Sequence, residues 1–353
     1  MSRNIYYFNP ENDLALANGG LNYTAPPRAT QLRHDLRLLP AWLATAGDLV
    51  LCDDRCDHDW LSAQGLEVDI VTPAELGRLT DARLVPWGWS RATRRTLQHL
   101  GAPAALLPDA ERIEAVHRLS HRRTTIAMHQ QLGTPRDLIP VELTSVQAVK
   151  QWAATHPGCY VKLPWSGSGQ GVYHVLNLDD EHLWRWCAGG LRRQGSLLCE
   201  VGFDKVQDFA TEWLCHDGTA RLVGYSVFAS DFHHQYQYGY VASQQALHDL
   251  LVGLCPDIDT AVAALREAIT TTMACNYDGY LGVDMMLYRD HAGSLAVNAC
   301  VEVNLRCTMG LVCCALGERH GLRGTFHVTD APLPGDHLLT PSGHFAAVLR
   351  AAD

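Results

Sequence analysis

No stretch of this 353-residue sequence is apolar for long enough to be a signal peptide or a membrane span, and Met1-Ser2-Arg3-Asn4 runs straight into strand-like Ile5-Tyr6-Tyr7-Phe8. No membrane association is expected, and a cytoplasmic location follows as the expectation. Basic tracts are missing too. The formal net charge is -10, and the basic clusters that stand out, Arg91 to Arg95 and His121 to Arg123, are each short and on an expected helix. A nucleic-acid partner is not expected, because neutralising phosphates takes many cations. The twelve cysteines include no C-x-x-C pair. With Cys199, Cys215 and Cys300 inside apolar segments, they read as reduced, packed thiols and not as a zinc or redox centre. Internal repeats and low-complexity tracts are absent, and 47% hydrophobic against 19% charged residues is the balance of an ordinary globular chain with room for two or three domains.

What is present begins with alternating strand and helix signals. Ile5 to Phe8, Asp48 to Cys52 and Glu67 to Val71 read as strands; Arg28 to Ala46 reads as an amphipathic helix, and Arg91 to Leu100 as another, stopped by Gly101. That order predicts a parallel sheet flanked by helices. A long loop, Asn9-Pro10-Glu11-Asn12-Asp13 through Pro26-Pro27, follows the first strand, and in such sheets ligands bind at the carboxyl ends of strands. It is a substrate loop or a structural one. From Asp109 a helical pattern runs to Leu132. A smaller α+β unit follows, with a helix near Ser145 to Ala154, strands Cys159 to Leu163 and Val172 to Leu176, and a helix His182 to Cys187. The rest is strand-rich, with Ser196 to Val201, Phe209 to Cys215 and Arg221 to Phe228 ahead of a helix from Ile258 to Met273.

Two segments carry chemistry. Late in the chain, Leu281-Gly282-Val283-Asp284 and Cys300-Val301-Glu302-Val303-Asn304-Leu305-Arg306 read as neighbouring strands on which Glu302, Asn304 and Arg306 share one face, with Asp284 able to join them. Hard oxygen donors of this kind suit Mg2+, which takes one or two carboxylates and nucleotide phosphates. Taken alone, the pair could equally be a hairpin with a solvated face. Earlier, Tyr160-Val161-Lys162 ends a strand and opens the loop Leu163-Pro164-Trp165-Ser166-Gly167-Ser168-Gly169-Gln170-Gly171. Small residues let backbone N–H groups approach phosphate, and the lysine supplies a point charge. The loop is neither a Walker A motif nor G-x-G-x-x-G.

In order, the strand lysine with its glycine loop, Leu198-Cys199-Glu200-Val201-Gly202-Phe203, Gly282-Val283-Asp284 and Glu302-Val303-Asn304-Leu305-Arg306 resemble the ATP-grasp superfamily over roughly residues 115 to 315. The resemblance implies an α/β (α+β) ATP-grasp fold with an amino-terminal, Rossmann-like pre-ATP-grasp domain over residues 1–115. A small lid subdomain over 116–197 and a carboxyl-terminal subdomain with the metal site over 198–353 would complete it. It also implies the roles of residues. Lys162 matches the lysine on the α- and β-phosphates, and Ser166, Gly167, Ser168, Gly169 and Gly171 match the lid over the triphosphate. Glu200, Val201 and Phe203 match the adenine-reading hinge, and Asp208 or Glu212 matches an acid near the ribose or metal. Asp284, Glu302 and Asn304 match the metal triad, and Arg306 an arginine that steadies an acyl phosphate.

The implied reaction uses ATP and Mg2+ or Mn2+ to phosphorylate a carboxylate, then joins it to an amine or similar nucleophile and releases ADP and phosphate. Substrates would be small molecules, amino acids or peptides among them, and a homodimer is one allowed state. A small-molecule kinase and a nucleotide-binding regulator are the alternatives. Three positions depart from the family pattern: Arg122 stands for a second nucleotide-contacting lysine, Leu163 for a proline after Lys162, and Leu305 for a proline before Arg306. A guanidinium still holds phosphate, and bidentately. On this reading Glu302→Ala is expected to abolish Mg-ATP turnover without unfolding the protein.

Overall fold

Three sheets organise the chain in the computed structural model, which describes residues 3–53, 57–167, 171–231 and 235–351. The first is parallel. Strands β1 (Arg3–Tyr7), β2 (Leu49–Leu51), β3 (Asp69–Val71) and β4 (Ala82–Pro86) lie in the order β3-β2-β1-β4. Chain order reverses between β1 and β4, so a crevice is expected where those two strands end, at Asn9 and at Trp87-Gly88. The second sheet is antiparallel, with order β5-β8-β6-β7, from β5 (Val141–Leu143), β6 (Tyr160–Lys162), β7 (Val172–His174) and β8 (Leu197–Glu200). Helices Val146–Thr155 and Glu181–Gln194 bury Val149, Ala153, Leu183 and Cys187 against it.

The third sheet has eight antiparallel strands in the order β13-β12-β9-β10-β11-β14-β16-β15. They are β9 (Asp204–His216), β10 (Thr219–Ser230), β11 (Tyr236–Val241), β12 (Gly279–Arg289), β13 (Leu295–Asn304), β14 (Gly324–Thr329), β15 (His337–Leu338) and β16 (Ala346–Arg350). Alternation divides their side chains between two cores. Phe209, Trp213, Leu281, Val283 and Met285 pack against helices Ile258–Ile269, Gln244–Leu254 and Arg123–Gln131. The other side meets helix Met309–Glu318 and the elements around the first sheet, where Phe8, Trp42 and Trp87 pack with Val312, Leu316 and Phe326. Helix Met309–Glu318 lies so close to the chain before Gln244 that a Cβ on Gly317 would overlap the Ala242 carbonyl. Gly317→Ala is expected to destabilise the protein by about 2 kcal/mol through overpacking, visible as a lower urea midpoint.

Two expected helices are shorter than their patterns. The segment 28–46 holds helix Pro27–Asp35 and then a separate 3-10 turn, Leu39–Leu43, because Pro40 cannot donate to a continuing helix. The segment from Asp109 to Leu132 is two helices, Ala110–Leu119 and Arg123–Gln131. At the break, the Arg122 backbone N–H donates to the Pro164 carbonyl, 3.0 Å away, and so to the glycine loop. Helix 181–194 is longer than expected, from an Asp180 cap to Gly195 in the left-handed region.

Candidate active site

The lysine hairpin is built by register. Lys162 in β6 lies opposite Leu198 and Tyr160 opposite Glu200, so Lys162 and Glu200 are diagonal neighbours on one face. Lys162 Nζ stands 2.5 Å from Glu200 Oε2, both side chains being close to buried. The second oxygen, Glu200 Oε1, is buried with no hydrogen-bond partner. From Glu200 the chain passes through Val201-Gly202-Phe203 into β9, and the Phe203 ring meets Tyr288 edge-on at 4.6 Å. This is the segment expected to be the hinge.

The acidic strands pair as expected. Asp284 of β12 lies opposite Glu302 of β13, and Gly282 opposite Asn304. Asn304 Nδ2 donates to Asp284 Oδ2 at 3.2 Å, and Arg306 Nη2 donates to Asn304 Oδ1 at 3.1 Å. Burial, and then the charge on Glu302, push the Asp284 carboxyl up to about 7, against the pull of Arg306. Burial also acts to raise Glu302, but Arg122, Lys162 and Arg306 outweigh it and hold Glu302 below the usual carboxylate range. Two adjacent carboxylates thus share the site unequally, as like charges must.

Arg122, set at the break between the two helices, joins the hairpin to these strands. Its Nη2 donates to Glu302 Oε1 at 2.5 Å, and its Nη1 to the Leu163 carbonyl at 2.7 Å and to Ser166 Oγ at 2.5 Å. Arg122 Nε, like Ser120 Oγ nearby in sequence, is buried without a partner. Lys162, Arg122, Glu302, Asp284, Asn304 and Arg306, drawn from four separate stretches of sequence, therefore lie in one place. Of the glycine loop, Ser166, Gly167 and Gly171 are described and Ser168 and Gly169 lie outside the described residues. Leu163 N–H donates to the Gly171 carbonyl at 2.8 Å.

The two acids left open separate clearly. Asp208 sits at the hinge end of β9, 2.5 Å from Lys205 Nζ and bonded by Ser230 Oγ. Glu212 is 1% exposed, sealed beneath Gly282 and the start of helix Met309–Glu318. Asp208 is the more accessible of the two, with 16% of its side chain exposed.

The amino-terminal loop enters the site as well. Asn9 Nδ2 donates to the Gly88 carbonyl at 2.9 Å and to Thr93 Oγ1 at 3.0 Å, and Gly88 leaves no room for a Cβ beside the Asn12 amide. Gly88 in turn bridges to Arg306, and Cys307 N–H donates to the Trp87 carbonyl at 2.7 Å. Asp13 accepts from Arg306 Nε at 2.9 and 3.0 Å. Sequence reasoning grouped Asn9 to Asp13 as a loop but did not single out Asp13, which no spacing links to residue 306. Beside this junction a cleft of about 750 Å³ runs between the β4 edge and the β9–β10 turn, lined by Arg83, Trp87, Asp278, Tyr280 and Arg306 among others.

The described cysteines are all free. Among the described residues, the one His/Cys/Asp/Glu group with metal-like spacing is exposed His216 and Asp217 with half-buried Asp278 near the β9–β10 turn. No helix among the described residues is long and apolar enough to cross a membrane. Of the aromatic stretch near residue 235, Tyr236 is partly buried against the core, Tyr238 meets Tyr240 edge-on at 5.5 Å, and Phe232, His233 and His234 lie outside the described residues.

Lysine, arginine and hard oxygen donors thus line a cradle between two β-layers. Solved structures share this fold. A Campylobacter jejuni biotin carboxylase bound to an ATP species matches with TM-score 0.53 at 14% identity, over 90% of this chain and 68% of that one. The biotin carboxylase domain of Hydrogenobacter thermophilus 2-oxoglutarate carboxylase, with MgADP, ADP and bicarbonate, matches with TM-score 0.54 at 12% identity, over 99% and 86%. Staphylococcus aureus N5-carboxyaminoimidazole synthetase with ADP matches with TM-score 0.53 at 11% identity, over 99% and 93%. No family model and no curated protein matches the chain. This chain has the ATP-grasp fold.

Proposed function

We propose that the protein is an ATP- and magnesium-dependent ligase that activates a carboxylate as its acyl phosphate and joins it to an amine or similar nucleophile, releasing ADP and phosphate. The observation that carries this reading is the convergence of Lys162, Arg122 and Arg306 with Asp284, Glu302 and Asn304. The residues fit a metal-bound nucleotide. Asp284, Glu302 and Asn304 are the hard donors Mg2+ or Mn2+ takes, and Arg122 Nε and Glu200 Oε1 are buried polar atoms in want of partners.

Phosphoryl transfer leaves little covalent work to the protein, so its residues act by position and charge. Lys162 and Arg122 would bind phosphate oxygens, with Ser166 and Gly167 offering backbone above them. Val201 to Phe203 would take the base and Asp208 the ribose side. Asp284, Glu302 and Asn304 would hold a cation, which supplies neutralising charge between phosphates. Arg306 would face the acceptor carboxylate, and the adjoining cleft has the volume for a small-molecule acceptor. The substrate is identified by assay: Mg-ATP is incubated with pooled carboxylates and amines, and ADP release is followed. Release that depends on one addition, and falls about a hundredfold or more in Lys162→Met, is the expected result. Phosphate left on the product would mark a kinase instead, and no nucleotide binding at all would end the reading.

A further inference from the structure

The first domain contributes more than a wall to this site. Asp13 stands where the glycine loop meets Arg306: its carboxylate takes Arg306 Nε at 2.9 and 3.0 Å and Arg306 Nη2 at 2.9 Å, and Gly167 of the glycine loop rests on it. A Cβ on Gly167 would lie 2.5 Å from Asp13 Oδ2 and 3.0 Å from Asp13 Cβ. We propose that Asp13 is a positioning residue that sets Arg306 and the Ser166-Gly167 backbone in register with each other; this rests on the nucleotide reading above.

The geometry gives each half of the claim a cause. Arg306 has five donors, and with Asp13 holding Nε and one side of Nη2, its Nη2 also donates to Asn304 Oδ1 at 3.1 Å, while Asn304 Nδ2 donates to Asp284 Oδ2 at 3.2 Å. A line of hydrogen bonds thus runs from the first domain through Arg306 to the metal strands. On the other side, Gly167 has no side chain where any side chain would strike Asp13. Asp13 itself is held by its helix Asn12–Asn18, whose first residue is locked to Gly88 and Thr93. The position of the loop and the position of the arginine are therefore fixed by one carboxylate.

A double-variant cycle tests this, read as Mg-ATP affinity by calorimetry with melting temperature alongside. Asp13→Ala and Gly167→Ala are each expected to weaken Mg-ATP by about tenfold. Because Asp13→Ala removes the carboxylate that the Gly167→Ala methyl would strike at 2.5 Å and leaves only the 3.0 Å approach to Cβ, the double variant should bind within about threefold of Asp13→Ala alone. Asp13→Asn, which keeps one acceptor for Nε, should fall between parent and Asp13→Ala and guards against a folding failure of the alanine variant. Multiplied defects in the double variant, or Asp13 variants that lower the melting temperature with Mg-ATP affinity intact, would overturn the proposal and leave the nucleotide reading standing. A parent protein that binds no Mg-ATP would overturn both.

Discussion

Glu302→Gln is expected to lower magnesium-dependent ATP turnover by about a hundred- to a thousandfold, the usual effect of removing one electrostatic contact from a transferring phosphoryl group. It should also erase the gain in ATP affinity that Mg2+ gives over EDTA-treated protein, since an amide is a poor replacement for a carboxylate ligand. The choice of glutamine follows from the structure. Arg122, 4% exposed, donates to Glu302 at 2.5 Å, so the alanine variant strands a buried cation, which typically destabilises by about 3–5 kcal/mol. That bears on the expectation that Glu302→Ala abolishes turnover without unfolding the protein: loss of activity there would be confounded with loss of fold. Glutamine keeps an acceptor for Arg122 and removes only the charge. Parental Mg-ATP affinity in a folded Glu302→Gln would remove the metal from the reading.

The legible part of this site was the part written on strands. Glu302 and Asn304 alternate along β13, and β12 is so near in sequence that the pairing with Asp284 needs only a turn. Lys162 was legible because a strand lysine before a run of small residues has few structural uses. The Arg122 contact was half legible: the residue was singled out, but periodicity gave one helix through it, and only the hydrogen bond to Pro164 shows why the helix breaks there. Asp13 was not legible at all, because 293 residues separate it from Arg306 and tertiary docking alone brings them together. Helices Gln244–Leu254 and Met309–Glu318 went unassigned although Ser243 and Thr308 cap them, since their apolar content hid the helical period.

Glu212→Gln is expected to make the protein more stable at pH 8 to 9 and nearly unchanged at pH 5. Burial, with Asp284 adding to it and the Thr308 hydroxyl and Arg306 opposing, pushes the Glu212 carboxyl up to about 8. In the unfolded chain the same group ionises near its ordinary value of about 4.5. Between those two values the folded protein holds a proton that the unfolded chain has released, so stability must fall as pH rises through the window. The ceiling on that loss is roughly 4–5 kcal/mol, at about 1.4 kcal/mol for each pKa unit. Asp284, raised to about 7, adds a slope of the same sign over a narrower range, and Glu302, lowered by Arg122, opposes it. Glutamine carries no proton to lose and keeps the shape that fills the space under Gly282 and Gly310. Urea midpoints of parent and variant from pH 5 to 9 should therefore diverge with pH, the variant ahead. Curves that stay parallel would mean that Glu212 is ionised in the folded protein near its ordinary pKa, and that Thr308, Arg306 and the amino terminus of helix Met309–Glu318 neutralise it where it lies.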